Sequence, residues 1–568
     1  MITPTAPDRA LRLADFATLT EALDYAATGQ TGMNLYSLRG ELVEALPYST
    51  LRTDAQALAQ RLLASGLKAG DRVGLIAETD GDFVRGFFAC QYAGVIPAPL
   101  PLPAALGGRA PYIAQIARLL QSADAAAVFG PEAMQEWIKE AADQAGVKVA
   151  GLIRDLPQGS AELPAITPDG PCYLQFSSGS TRFPTGVLVT HRAMMANAVA
   201  ITRDGLKVKP EDRAVSWLPL YHDMGMVGFL LSPMSSQMSV DLLPTGAFVR
   251  RPLLWLDLIS KNGGTIAYSP SFGFELCARR GESAAIDHID LSKWRVAGIG
   301  GDMIRMKPLQ AFAETFGKIG FDKKAYFASY GMAEATLALS MAPLDGGLVA
   351  ETLDLHKLEH DGVAVAGASD APARAFARCG PPLPHHELEV RDINGAILPE
   401  RRVGRIYARG PSLMKGYFRQ PEITAEVLAE DGWLDTGDLG YFVEGEIVIT
   451  GRAKDLIILN GRNIWPQDLE WTAEAEITTL RSGDVAAFSV AGEGEEAIVV
   501  LAQCRSSDAE VRNALVEEIT NVLRVRHSIE AKVQLVGSHA LPQTSSGKLS
   551  RSKAKASYIA GAFTPEAA

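Results

Sequence analysis

Short apolar runs that end in small or polar residues, each followed by a helical pattern or a loop, recur along this chain and restrict how it can fold. From Ser49 to Pro103 a helix-period stretch, RTDAQALAQRLLASGL, gives way to DRVGLIAE and then YAGVIPAPL, with Lys68-Ala69-Gly70-Asp71 marking the change. AAAVFG, TIAYSP, WRVAGIGG and KAYFASYG repeat the pattern. Strands joined by crossovers of this kind form a parallel sheet covered by helices, so the expected class is α/β. Ligands of open α/β sheets gather at the carboxyl ends of the strands.

Near Leu388 the style changes to short alternating strands and turns, HELEVRD, RDINGAILPE, VGRIYARG and EGEIVITGR, with Asn394-Gly395 as a hairpin signal. A smaller β-rich subdomain, about 380–450, is therefore expected after the α/β body. Beyond Gly451-Arg452-Ala453-Lys454-Asp455 the chain restarts with LIILNGRNIWPQDLE, AIVVLAQ and the helical DAEVRNALVEEITNVLRVRH, which reads as a separate, mobile α+β domain. A length of 568 residues agrees with at least two cores.

Composition excludes several classes. Lys plus Arg total 54 against 66 Asp plus Glu, a net charge of −12 with no long basic block, which argues against nucleic acid as a partner. The first residues, MITPTAPDRALRLADF, put acidic groups where a signal peptide needs a basic patch and an apolar run. GFFACQYAGVIPAPLPLPAALGG is the longest uncharged stretch, but prolines at 97, 99, 101 and 103 would break a spanning helix. It is read as a buried strand leaving into an extended loop, and no transmembrane segment is expected. Cys90, Cys172, Cys277, Cys379 and Cys504 are an odd, scattered set without zinc spacing, which suits a reducing cytoplasm.

The run YLQFSSGSTRFPTGVLVTH, Tyr173 to His191, sends a strand into Ser, Gly and Thr and out through Thr185-Gly186. Small residues let backbone N–H groups converge on an anion, and the hydroxyls of Ser177, Ser178, Ser180 and Thr181 add donors. It lacks the Lys-Ser/Thr pair of the Walker loop, and by itself it reads equally as a polar surface turn.

Five further blocks follow in order: LPLYHDMGMVG (Leu218 to Gly228), SYGMAEAT (Ser329 to Thr336), WLDTGDLG (Trp433 to Gly440), TGRAKDLI (Thr450 to Ile457) and TSSGKLSR (Thr544 to Arg551). Together with SSGSTRFPTG they resemble the adenylate-forming superfamily of acyl-CoA synthetases, peptide-synthetase adenylation domains and luciferases. The resemblance implies a large N-terminal domain, 1–453, a small C-terminal lid, 454–568, hinged at Lys454, and ATP-dependent activation of a carboxylate to an acyl adenylate with release of pyrophosphate. It places ATP or AMP against Ser177, Ser178, Gly179, Ser180, Thr181, Gly301, Asp302, Tyr330, Gly331, Met332, Asp438 and Arg452.

Each role has a physical reason and a plainer alternative. Asp438 in its Thr-Gly-Asp turn is suited to accept hydrogen bonds from vicinal ribose hydroxyls; otherwise it is a turn-former. Tyr330 would stack on adenine, or else belong to the core. Glu334, with Thr181, would hold Mg²⁺, an ion that takes few protein oxygens and shares its shell with phosphate and water; alone, Glu334 is a solvated carboxylate. Lys548 would bring its ammonium to the carboxylate and the bridging α-phosphate oxygen, where negative charge gathers in the transition state. Arg551 is expected as support. His222 would gate or orient the carboxylate, with a core histidine as the alternative.

Arg182 after Ser180-Thr181, Ala333 before Glu334, GRNIWPQDLE after the hinge, FVRRPLLWLDLIS and SPSFGFELC are similar to the fatty acyl-AMP ligases within that superfamily. In that branch the last block lines the acyl pocket, here Ser271, Phe272, Gly273 and Phe274, with His222 beside it. The long connection from Leu348 to Arg378 matches an insertion that in this branch packs against the lid and hinders CoA use, so that the acyl group passes to the phosphopantetheine thiol of a carrier protein or of a carrier domain in a polyketide or peptide synthase. The expected ligands are thus a fatty acid, ATP and Mg²⁺, and the expected partner an acyl carrier protein. Two departures, Thr185 where most of the superfamily has Lys and Asp302 where Glu is common, imply lower phosphate affinity. A long-chain acyl-CoA ligase and a degenerate nucleotide-binding partner of a carrier protein are the competing readings.

Overall fold

A computed structural model describes residues 3–4, 6, 8–103, 108–176, 185–367, 373–459, 462–491, 496–544 and 548–563. The chain divides into two compact units: Met1–Val349 with Cys379–Leu388 and Ala408–Leu434, and Ala350–Arg378 with Glu389–Tyr407 and Asp435–Ala568. Much of the β-rich stretch thus groups with the C-terminal residues.

The first unit is built on an eight-stranded sheet in the order Ala338–Met341, Tyr326–Gly331, Val296–Ile299, Ile266–Ser269, Arg213–Ser216, Ser239–Leu242, Gly32–Tyr36, Leu42–Pro47. Its six inner strands are parallel and only the two edge strands run antiparallel. The inner strands are short, buried on both faces and largely apolar, with Asn34 and Arg213 each paired to Asp241. A second sheet, Ile96–Leu100, Arg72–Ile76, Ala125–Phe129 and Val149–Gly151, is wholly parallel. A third joins Pro171–Phe176, Gly186–Thr190 and Gly416–Tyr417.

Within the large sheet Arg213 and Asp241 are buried as an ion pair at 2.7 Å. Asn34 donates to the same carboxylate at 2.7 Å and the Thr3 carbonyl accepts from Arg213, so neither charge is left uncompensated. Beside it Trp255, Trp294, Phe274, Phe312 and Tyr326 pack edge to face at 5.1–5.7 Å, fixing the helices Leu253–Asn262, Ser271–Gly281 and Met306–Phe316 on the strands.

The stretch beginning at Gly86 differs from its reading as a strand and loop. Gly86 to Ala93 completes the helix Gly81–Ala93, and only Ile96–Leu100 is strand. Asp80 caps the helix through Phe83 N–H at 2.8 Å and Gly94 ends it in the left-handed region. Eleven of its thirteen residues are buried, so no polar face marks the 3.6 period.

The second unit contains most of a four-stranded sheet, Glu387–Arg391, Gly404–Arg409, Leu434–Val443 and Glu446–Arg452. Gly395, at φ +85°, turns the chain after Asp392. Further on, Val485–Ala491, Glu496–Gln503 and Ala531–Val536 form a sheet covered by the helices Pro466–Glu476, Ala509–His527 and Arg551–Ile559. The segment Ala350–Arg378 is a strand, Ala350–Asp354, a helix, Leu355–Asp361, and a strand, Ala373–Ala377, paired antiparallel with the first. Glu359 from that helix meets Arg462 of the hairpin Ile457–Leu459/Arg462–Ile464 at 2.6 Å, and Arg462 also donates to the His527 carbonyl. Arg374 meets Asp468 at 2.6 Å with both side chains buried, its guanidinium lying between the rings of Phe376 and Trp471. Among the described residues no helix is long and apolar enough to cross a membrane.

Candidate active site

Arg213–Ser216, Ile266–Ser269, Val296–Ile299 and Tyr326–Gly331 are adjacent parallel strands, so their carboxyl ends open along one edge of the sheet. The residues just past those ends are, in turn, Trp217 to His222, Ser271 to Phe274, Gly301 with Asp302, and Met332 to Glu334. Topology thus collects, from more than a hundred positions of sequence, most of the candidates of the first unit where open sheets bind ligands.

His222 sits in the turn before a short helix, Asp223–Met226, with Nδ1 2.6 Å from Asp223 Oδ1. No partner for this histidine was legible in sequence, and the structure supplies its own neighbour. The preceding carbonyl, of Tyr221, accepts from Gln175 Nε2 at 2.7 Å, which ties this loop to the strand Pro171–Phe176. That strand leads into Ser177, Ser178, Gly179, Ser180 and Thr181, which lie, with Arg182, outside the described residues.

Of the expected acyl-pocket residues, Ser271 Oγ accepts from Arg305 N–H at 3.0 Å and Phe272 stands edge-on to Trp217 at 5.7 Å. Phe274 is fully buried in the aromatic core. A Cβ at Gly273 would come within 2.9 Å of the Trp217 ring, itself stacked on Phe248 at 3.8 Å. Trp217 is therefore a member of this group that sequence reasoning passed over, although it directly precedes the LPLYHD block. Asp302 is exposed and accepts from the N–H of Met303, and Gly301 takes φ +75°. Tyr330 is buried, at 8 % exposure.

Glu334 is held from two sides. Its carbonyl accepts from Met414 N–H at 2.8 Å, and its Oε1 accepts from the Tyr417 hydroxyl at 2.9 Å. Burial, and then the neighbouring Glu334 charge, push the Tyr417 phenol well above its ordinary value, so it stays protonated and donates. Before Glu334, Gly331 has no room for a side chain, because a Cβ would fall on the Leu337 carbonyl oxygen. After it, Thr336 holds φ +69°, a strained conformation for a β-branched residue, while its hydroxyl donates to the Ser412 carbonyl at 2.7 Å. Ser412 is itself anchored by His386, which burial keeps neutral. The Pro384 carbonyl near Nδ1 can only accept, so Nδ1 carries the proton and Nε2 accepts from the Ser412 hydroxyl at 2.7 Å.

The remaining candidates belong to the second unit. Asp438 and Arg452 are cross-strand partners with 3.7 Å between Nε and Oδ1; Thr436, Gly437 and Asp438 lie within the strand Leu434–Val443 rather than in the expected turn, with Gly437 at φ +75°. Lys454 is exposed in the turn Ala453–Asp455. Thr544 N–H donates to the Lys548 carbonyl at 2.7 Å, and Gln543 and Leu549 form an antiparallel bridge. Arg551 reaches Glu470 through two nitrogens, at 2.6 and 2.7 Å, and Asp455 at 3.2 Å, so it fastens the helix Arg551–Ile559, which follows Lys548, to the turn that carries Lys454.

Comparison with known proteins agrees with this architecture. The model of the AMP-binding enzyme family matches residues 33–418, more than half of the chain. A putative acyl-CoA synthetase of Caulobacter vibrioides is 66 % identical over 99 % of both chains. A medium-chain-fatty-acid–[acyl-carrier-protein] ligase, JamA, of Moorena producens is 32 % identical over 96 % of both. A structure from a study of fatty acyl-adenylate ligases of E. coli and L. pneumophila superposes with a TM-score of 0.93 at 45 % identity, covering 98 % of this chain and all of the other. The chain belongs to the AMP-binding, adenylate-forming family of enzymes. Within that family its likeness is to the fatty acyl-AMP ligases, and it is an enzyme of the ligase type.

Proposed function

We propose that this chain joins a fatty acid to the AMP moiety of ATP, releasing pyrophosphate, and then passes the acyl group to the phosphopantetheine thiol of a carrier protein, releasing AMP. The observation that carries the first half is the sheet edge, where the His222 loop, the helix beginning at Ser271 and the Glu334 loop follow the carboxyl ends of neighbouring parallel strands. In this reading the fatty acid lies along Ser271 to Gly273 and Trp217, with His222 toward its carboxylate. Adenine lies by Tyr330, Gly331 and Met332, the ribose on Asp438 and Arg452, and the phosphates against Ser177 to Thr181. Glu334 is a hard oxygen donor held in one orientation, which fits a single protein carboxylate on Mg²⁺, with Thr181 as the second ligand in this reading. The ion, when bound with ATP, neutralises phosphate charge. Residues 454–568 act as a lid turning about Lys454, and Lys548 stabilises charge on the α-phosphate as the carboxylate oxygen attacks and the bond to pyrophosphate breaks.

The second half rests on the segment Ala350–Arg378, which one ion pair fastens to the helix Pro466–Glu476 and another to the strand Arg462–Ile464, and on the carrier-protein ligase among the relatives. The relative named an acyl-CoA synthetase favours the other acceptor, free CoA. Pyrophosphate release with fatty acids of graded length tests the adenylation. Offering a phosphopantetheinylated carrier protein beside CoA then decides the acceptor: the proposal expects acyl carrier protein with little acyl-CoA, and the opposite ratio overturns its second half.

A further inference from the structure

We infer that Tyr417 is a positioning residue for the carboxylate of Glu334, and through it for the metal–nucleotide complex; this rests on the reading of Glu334 as a metal ligand. Tyr417 lies 83 residues from Glu334 in sequence, and its hydroxyl donates to Oε1 at 2.9 Å. The direction of that bond is fixed, since a carboxylate that ligates a metal is ionised and only accepts. An outer hydrogen bond of this kind fixes the orientation of a ligating group, and its loss typically weakens metal affinity by about 10- to 100-fold.

Tyr417 is itself held rigidly. Its N–H donates to Thr424 Oγ1 at 2.9 Å, and that hydroxyl donates to the Gln420 carbonyl at 2.8 Å. Tyr417 and Gly416 pair antiparallel with Val187 and Leu188, Lys415 N–H donates to the Leu188 carbonyl, and Phe418 N–H to that of Gly186. The strand Gly186–Thr190 is the one through which the chain leaves the Ser/Gly/Thr run. One short strand therefore registers the glutamate at the end of Tyr326–Gly331 against the exit of the candidate phosphate loop. Met414, three residues before Tyr417, grips the glutamate main chain, so backbone and carboxylate are placed by the same segment.

The test uses the full chain and Tyr417→Phe, which removes the hydroxyl and keeps the ring, beside Glu334→Gln and the double variant. Mn²⁺ binding in the presence of a non-hydrolysable ATP analogue is read by electron paramagnetic resonance, and the Mg²⁺ dependence of pyrophosphate release by kinetics. Tyr417→Phe is expected to weaken Mn²⁺ binding about tenfold or more and to raise the Mg²⁺ requirement, with the KM for fatty acid unchanged. The double variant is expected to bind Mn²⁺ as poorly as Glu334→Gln alone, because the hydroxyl acts only through that carboxylate. A weaker Glu334→Gln with an unaltered Tyr417→Phe overturns the role of Tyr417. Losses that add in the double variant overturn it too, since they show a contribution independent of Glu334. If neither single variant changes Mn²⁺ binding, the metal reading of Glu334 itself fails.

Discussion

Single residues here are constrained by what surrounds them more than by their own chemistry. Gly331 is the sharpest case: with the Leu337 carbonyl oxygen where a Cβ would sit, Gly331→Ala must push apart the strands Tyr326–Gly331 and Ala338–Met341 on either side of the Glu334 loop. A destabilisation of about 1–3 kcal/mol and a loss of adenylation larger than that destabilisation explains are expected, measured by thermal melt and pyrophosphate release. Lys548 is the contrary case, a half-buried cation that belongs to no apolar cluster among the described residues. Lys548→Ala should leave the melt nearly unchanged and remove most adenylation; substantial pyrophosphate release by that variant would remove the lysine from the mechanism. Asp438→Ala should weaken ATP binding more than fatty-acid binding, since it loses an acceptor for ribose hydroxyls, and equal losses for both ligands would point to misfolding instead.

At the scale of elements the segment Ala350–Arg378 carries the clearest consequence. Arg374 and Asp468 are both buried, and removing one partner strands the other charge, so Arg374→Ala should lower the stability of the second unit by about 3–5 kcal/mol. Trimming Thr352 to Ala373 keeps Arg374 but removes Glu359, most of the strand paired with Ala373–Ala377 and the buried Leu353, Leu355 and Leu358, so a thermal melt must first show that the deletion folds. A solvated loop shortened in this way would change little, because closure entropy varies slowly with length. If the segment biases the lid, adenylation should persist and acyl-CoA formation rise, a bias of ~1.4 kcal/mol being a tenfold change in populations. A well-folded deletion that adenylates yet still makes no acyl-CoA would defeat this account.

Elements also mark where sequence reading ends. Ile266–Ser269, Val296–Ile299 and Tyr326–Gly331 were legible because each is apolar and stops at small or polar residues, whereas Gly32–Tyr36, Arg213–Ser216 and Ser239–Leu242, which carry Asn34, Arg213 and Asp241, were not; the helix Ala509–His527 was legible because Asp508 caps it and it keeps a polar face. The helix Gly81–Ala93 was lost to burial on every side. The Tyr417–Glu334 and Arg462–Glu359 pairs join residues 83 and 103 positions apart with no local pattern to announce them. Motif order marked the Glu334 block, but only the fold shows what grips that carboxylate.

For the molecule as a whole the buried titrating groups set how stability responds to acid, and they oppose one another. In the first unit His191 is pushed down to about 4 by burial, its Nδ1 accepting from Leu19 N–H, while burial raises Asp80 to about 6 against the Phe83 N–H bond. In the second, His527 is pushed down to about 4 by burial and the nearby Arg462 charge, and Glu359 is raised by burial to about 7 against Arg462. For the histidines the unfolded chain takes up a proton below about 6.5 and the folded one only below about 4, so stability is lost as pH falls through that window. For Asp80 and Glu359 the folded state binds the proton first, below about 6 and about 7, while the unfolded state waits until about 4, so stability is gained on acidification. Between pH 7.5 and 5 each group contributes about 1–3 kcal/mol, and the two gains nearly offset the two losses. Wild-type stability from these four groups should therefore vary little over that range. His527→Gln should become more stable at pH 5 than at pH 7.5, and Asp80→Asn, which keeps a helix-capping side chain, should become less so by about 1–2 kcal/mol. Denaturation midpoints at the two pH values measure both slopes; a steep wild-type dependence that neither substitution alters would show that other groups govern the acid response.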